Sequence, residues 1–180
     1  MKLVIDIPES DYNEYKFTRK IIRADKLITS KESIELEIDG VTLLTTEEAK
    51  ALPREQIKIG DDWWLRSPGY NVNNAAFVDG EAGFVYDYGY NVSKEFGVRP
   101  ALQISNLQSS NLEIGDRFDF ADYSWTVIAE DKALCDDIIG YSAFRKDWKA
   151  KDANDYEKSD IKKYLEDWWR EAQNEDEDSD

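Results

Sequence analysis

Thirty-nine acidic side chains and not one histidine set the chemistry open to this 180-residue chain. Without imidazole there is no triad built on a His base, no common zinc site and no group that ordinarily titrates near neutrality. Carboxylates, lysine, tyrosine and a single cysteine remain. The carboxylates gather at Asp61-Asp62, at Asp136-Asp137 and at Asp152, Asp155 and Glu157. Such oxygens suit a hard cation, but none of the clusters has the twelve-residue spacing of an EF-hand loop, so no metal or other cofactor is expected. Cys135 lies in an apolar run beside Asp136 and Asp137, whose charge opposes a thiolate, and it reads as a core residue. No glycine-rich stretch is followed by Lys-Ser or Lys-Thr, which leaves a phosphate-binding loop unsupported. An enzyme is not expected.

Recognition is better supplied than catalysis. Tyr70, Tyr86, Tyr88 and Tyr90 fall in a segment rich in glycine and asparagine, and tyrosine and asparagine on loops give rigid contact area with adaptable hydrogen bonds. Trp168 and Trp169 are neighbours that should not both face one core, so Trp169 is the expected exposed anchor. The formal net charge of −16 opposes binding to naked nucleic acid, where Lys and Arg must displace counterions. The same field steers the chain towards a basic protein surface, such as the channel in which a nuclease holds its guide and target. Asp152, Asp155 and Glu157 would then imitate phosphate.

These residues need elements to position them. Residues 2 to 7 alternate as a strand, and Pro8 with the acids after it opens a helix running to about Arg23. Ile34 to Ile38 and Val41 to Leu44, separated by Asp39-Gly40, predict a hairpin. Thr45 with Glu48 forms a capping-box pattern for a short helix that Pro53 ends. Phe77 to Asp79 and Phe84 to Tyr88 predict a second hairpin, and Val98 to Ile104 a following strand. Leu107 to Asn111 has the composition of a linker, dividing residues 1–106 from 107–180. Arg117 to Phe120, Tyr123 to Ala129 and Lys132 to Ile139 predict strands. Ser159 caps a helix on which Ile161, Tyr164, Leu165 and Trp168 share one face. The acidic run from Glu175 to Asp180 is expected to be solvated and disordered. The fold class expected is α+β with an antiparallel, β-rich core, as one unit or two intimate halves.

Trp63-Trp64-Leu65-Arg66-Ser67-Pro68-Gly69, Asn74-Ala75-Ala76-Phe77-Val78, Tyr90-Asn91-Val92-Ser93 and Gly97-Val98-Arg99-Pro100-Ala101-Leu102 resemble the blocks of an uncharacterised bacterial domain family. Its core is similar to the C-type-lectin-like fold of formylglycine-generating enzymes and retroelement variable proteins. The resemblance covers roughly residues 43 to 104. It implies that one tryptophan packs in the core and that Arg66 or Arg99 ties loops together. A second set, Trp125-Thr126-Val127-Ile128, Ala133-Leu134-Cys135 and Asn154 to Leu165, resembles the half that usually comes first, so the order here is reversed. Formylglycine generation uses a pair of copper-binding cysteines, and one cysteine cannot supply it. The opening Lys2-Leu3-Val4-Ile5-Asp6-Ile7-Pro8-Glu9 resembles the first residues of many phage proteins of gut bacteria.

Two functions follow as expectations. The first is a cytoplasmic, non-catalytic inhibitor of phage or mobile-element origin that binds a basic host protein, with an anti-CRISPR acting on a guide-loaded type II nuclease as its most concrete form. The second is a lectin-like domain holding a sugar or peptide on its tyrosine- and asparagine-rich loops.

Overall fold

Strand β1 (Lys2–Asp6) and the first half of β2 (Ser33–Thr42) pair antiparallel, Leu3 opposite Leu36, and β2 then continues to pair with a different strand. The computed structural model in which this is seen describes residues 1–6 and 33–177, so the helix expected from Pro8 to Arg23 lies outside the described residues. The expected hairpin at Asp39-Gly40 does not form. Gly40 instead sits at a shift of register between β2 and β7 (Ala101–Ile104), and the strand passes through it without turning back.

The described residues form α+β architecture with two mainly antiparallel sheets. The first has the order β1, β2, β7, β10 (Lys132–Cys135), β9 (Tyr123–Ala129), β8 (Arg117–Phe120). The second has the order β11 (Gly140–Ala143), β6 (Glu95–Val98), β3 (Trp63–Pro68), β4 (Asn74–Asp79), β5 (Phe84–Asn91), with β3 and β6 parallel. Strands from both sides of the 106/107 position pair in each sheet: β7 with β10, and β6 with β11.

The single strand expected from Val98 to Ile104 is two. Pro100 has no N–H to donate to a ladder, and at Arg99-Pro100 the chain leaves the second sheet and enters the first. The strand expected from Lys132 to Ile139 likewise ends at Cys135, and Gly140 starts β11 in the other sheet. Residues 107–109 form a 3-10 turn with Leu107 buried, in place of a linker.

Three apolar clusters hold these elements. Trp63 and Trp64 are consecutive on β3 and therefore enter opposite faces of the sheet. Trp64 joins Phe77, Phe96, Phe144, Ile161 and Leu165, while Trp63 joins Leu44, Leu65, Val78, Val85 and Leu134. Both indoles are fully buried, where the resemblance implied one, and both N–H groups are satisfied: Trp63 donates to Ile57 O at 3.2 Å and Trp64 to Ser142 O at 2.9 Å. The third cluster, with Trp125, Phe118 and Phe120, fills one face of the first sheet.

Helix α1 (Thr46–Lys50) has the expected capping box, Thr45 and Glu48 exchanging hydrogen bonds, and a short α2 (Arg54–Ile57) follows Pro53. Helix α3 (Asp160–Glu177) begins as expected at Ser159, whose hydroxyl accepts from the Lys162 N–H at 3.1 Å. Ile161 and Leu165 reach the cluster of the second sheet, and Trp168, Trp169 and Ala172 that of the first, so α3 bridges the two sheets. The run from Glu175 to Glu177, expected to be disordered, is the last turn of this helix. Among the described residues no helix is long and apolar enough to cross a membrane.

Candidate functional site

β5 is the terminal strand of the second sheet, and side-chain alternation puts Phe84, Tyr86, Tyr88 and Tyr90 on one side of it. Val85 turns the other way into the core, and Asp87 on that same side pairs with Lys50 of α1 at 2.7 Å. The aromatic side stays largely uncovered because α3 packs at the opposite end of the sheet, over Trp64 and Phe144. Tyr86 stacks on Phe77 (5.2 Å between ring centroids, planes 8° apart), and Tyr90 leans on Phe96 at 5.6 Å. Each ring is thus half supported by core and half presented to solvent.

Tyr70 joins them from the loop after β3. Its N–H donates to the Tyr88 carbonyl at 2.9 Å and the two rings lie 5.9 Å apart. A register shift between Ala75 and Phe77 makes room for extra residues of β5, and Gly89 takes φ +82° within it. The result pushes Tyr88 outward. Tyr70 is 79% exposed, Tyr88 70%, Tyr90 49% and Tyr86 42%. Of the ten large hydrophobic side chains that are exposed among the described residues, six lie on β5 or the loop before β4, with Phe84 and Val72 completing the set. Concentrations of this kind mark interaction surfaces.

The sequence therefore identified four residues that the fold brings to one face. Phe84 alternates with them on the same strand, a position that its place in the predicted hairpin does not by itself mark as part of a binding face. Trp169 belongs elsewhere: it is half-buried against Phe120, 6.0 Å between rings, while Trp168 packs on Trp125 at 6.0 Å. Both tryptophans meet the same cluster, contrary to expectation, because they straddle the contact line of α3 and the sheet beneath is broad enough for both.

Asp152, Asp155 and Glu157 flank Asn154, which donates to the Asn71 carbonyl beside Tyr70 at 3.1 Å, and they are neutralised locally. Asp152 pairs with Lys158 at 2.7 Å, Asp155 lies 3.8 Å from Lys158 and caps the Glu157 N–H, and Glu157 pairs with Lys162 at 2.8 Å. The Lys158 hydrogen bond holds the Asp152 carboxyl below its ordinary value. Carboxylates already matched with lysine make poor phosphate mimics.

A second acidic group has no cation paired with it among the described residues. Asp61 and Asp62 precede β3, and Asp79 and Glu81 form the turn that leads into Phe84. The turn is tight against them: Gly60 N–H donates to Gly80 O at 2.9 Å and Gly80 N–H to the Asp62 carboxylate at 3.1 Å. Burial and the charges of Asp79, Asp61 and Glu81 push the Asp62 carboxyl above its usual range despite the Gly80 hydrogen bond. Asp61 accepts from the Tyr141 hydroxyl at 2.6 Å, and the two line a cleft of about 420 Å³ with Tyr123 and Asp137. Arg54, which lies beside the turn together with Lys58, directs Nε and Nη2 onto the Ala82 carbonyl. Among the described residues, no three acidic or cysteine side chains converge as metal ligands.

Arg99 is buried, donates to Cys135 O and Gln56 O, both at 2.8 Å, and lies over the Trp63 ring. It ties the end of β10 and the short α2 to the passage between β6 and β7, and burial lowers its pKa to about 10. Cys135 is buried beside it, its thiol pushed up to about 12, again by burial.

No family model matches the chain, and no curated protein and no solved structure matches it either.

Proposed function

We propose that this chain is a non-catalytic, acidic binding protein that docks on a basic protein surface through the aromatic side of β5. One observation carries the reading: Tyr70, Phe84, Tyr86, Tyr88 and Tyr90 are exposed together on an edge strand and the loop beside it, next to a turn whose carboxylates pair with no cation among the described residues. Aromatic anchors supply contact energy at low cost in entropy, and the surrounding charge supplies steering and selectivity. A protein with net charge −16 meets a basic partner far more readily than an acidic one. The specific form of the proposal is a cytoplasmic inhibitor of phage or mobile-element origin that occupies the basic channel of a guide-loaded type II CRISPR nuclease, an anti-CRISPR working without a cofactor.

The test is cleavage of target DNA by the guide-loaded nuclease, with the protein added before or after DNA across a salt series. Inhibition that weakens with salt and is lost in the double variant Tyr70→Ala/Tyr88→Ala is expected. Undiminished cleavage with several nucleases would overturn the nuclease as target. Inhibition that the double variant retains would overturn the aromatic face.

A second reading has its own observation. Paired, exposed tyrosine rings beside Asn71 and Asn91 are suited to stacking on a sugar ring, as in a lectin-like domain. A glycan array with and without calcium separates the two: binding there, with no basic protein bound, would favour this one.

A further inference from the structure

Resting on the proposed binding role, we infer that the free edge of β5 takes an extended, basic segment of the partner as an added strand. The four terminal strands of the two sheets differ in how they are protected. Edges invite pairing, and proteins blunt them with charge, proline, bulges or short length. β1 carries Lys2, paired with Glu35; β8 alternates Arg117 and Asp119 on its exposed side; β11 is four residues long. β5 has eight residues, about 26 Å of strand, and the aromatic side that it shows has no Lys, Arg, Asp, Glu or Pro. Its one charged residue, Asp87, is on the opposite side and tied to Lys50. Among the described residues its blunting device is the bulge at Gly89, which leaves Phe84 to Tyr86 in regular register with β4. Among the described residues nothing pairs with the outer edge of that stretch.

Charge fixes the chemistry of the occupant. The chain carries a formal net charge of −16, and the turn that leads into Phe84 holds Asp79 and Glu81, while Arg54, which lines the groove with Phe84 and Tyr86, is engaged by the Ala82 carbonyl; an added strand that continues past Phe84 therefore gains from Lys or Arg facing those carboxylates. Along the strand its alternate side chains would lie on Tyr86 and Tyr90, which asks for apolar residues at every second position. Backbone hydrogen bonds to β5 give the affinity and these pockets the selectivity, as in other strand additions.

The probe is an acetylated, amidated octapeptide alternating valine with lysine and arginine, beside three controls: an acidic counterpart, a scrambled block sequence, and a version N-methylated at alternate residues. Hydrogen exchange followed by NMR reports the amides of Phe84 to Asp87. The alternating basic peptide is expected to slow their exchange at least tenfold at saturation, and N-methylation on the pairing edge to weaken binding roughly tenfold or more, the loss of two or more backbone hydrogen bonds. The variant Tyr86→Lys/Tyr88→Lys, with its fold checked by circular dichroism, should not bind the peptide. Equal binding of the N-methylated or acidic peptide would overturn strand addition, as would protection confined to another strand. Protection that grows with protein concentration alone would identify a second copy as the occupant. Failure of every peptide while the salt-sensitive inhibition above persists would sink this inference and leave the binding role standing.

Discussion

Phe77 of β4 and Tyr86 of β5 are cross-strand partners whose rings stack almost in parallel, and they join the interior of the second sheet to its exposed edge. Phe77 is buried among Trp64, Phe96 and Val92, whereas Tyr86 has its outer surface open. The pair therefore separates two roles along one strand. Tyr86→Ala should cost about 1–2 kcal/mol of stability, since it removes a stacked pair together with partly buried area. Tyr88→Ala, which removes a ring 70% exposed whose aromatic partner among the described residues is Tyr70, should cost no more than about 0.5 kcal/mol. Urea unfolding of the two variants measures this, and equal losses would contradict the division.

Asp62 predicts a stabilising substitution. Its carboxyl is pushed up by burial and by three neighbouring carboxylates. A carboxyl whose folded pKa exceeds its unfolded value weakens the fold wherever it is ionised in both states, and the penalty is relieved as pH falls through the folded value. Asp62→Asn keeps an oxygen for the Gly80 N–H while removing the charge. At pH 7 and low salt it should raise Tm by about 2 °C, with the gain shrinking in high salt and disappearing in acid, where the wild type is protonated as well. Thermal scans across pH and salt decide it.

Glu48 behaves in the opposite sense. Burial alone would raise its carboxyl, but hydrogen bonds from the Lys132 ammonium and the Thr45 N–H, with the charges of Lys132 and Arg66, outweigh this and hold it below the usual value. Its contribution is complete above the unfolded glutamate value of about 4.3 and is lost as pH falls through the lower folded value. Lys132 is buried, so Glu48→Gln leaves an ammonium with a weaker partner and should cost about 2 kcal/mol at pH 7. Denaturant titrations should show that deficit narrowing as the pH drops below 4.

The sequence was readable where structure is local. The capping box at Thr45 and Glu48, the cap at Ser159 and the turn between β4 and β5 are each decided within a few residues. So is the alternation that puts Tyr86, Tyr88 and Tyr90 on one side. What could not be read depends on partners distant in sequence. Asp39-Gly40 has hairpin chemistry, but β2 is held straight because β1 pairs with its first half and β7, sixty residues later, with its second. Arg99-Pro100 looks like the middle of an apolar strand and is the passage between two sheets. The acidic cluster at 152–157 was visible as composition, whereas its neutralisation by Lys158 and Lys162 appears only once the chain folds back on itself.

Gly89 connects the strand geometry to the proposed binding face. Its φ of +82° is one that side chains rarely adopt, and a Cβ there would lie 2.4 Å from the Ala75 carbonyl oxygen, a backbone atom that cannot swing aside. Gly89→Ala must therefore move β5 away from β4 or flatten the bulge, and either change withdraws Tyr88 from Tyr70. The αL penalty alone is about 1–2 kcal/mol, so most of the protein should remain folded while the Tyr70–Tyr88 pair is lost. Nuclear Overhauser contacts between the two rings should vanish, and binding to a basic partner should fall as far as in Tyr70→Ala/Tyr88→Ala. If the ring contacts disappear and binding is unchanged, the bulge serves the sheet rather than the partner.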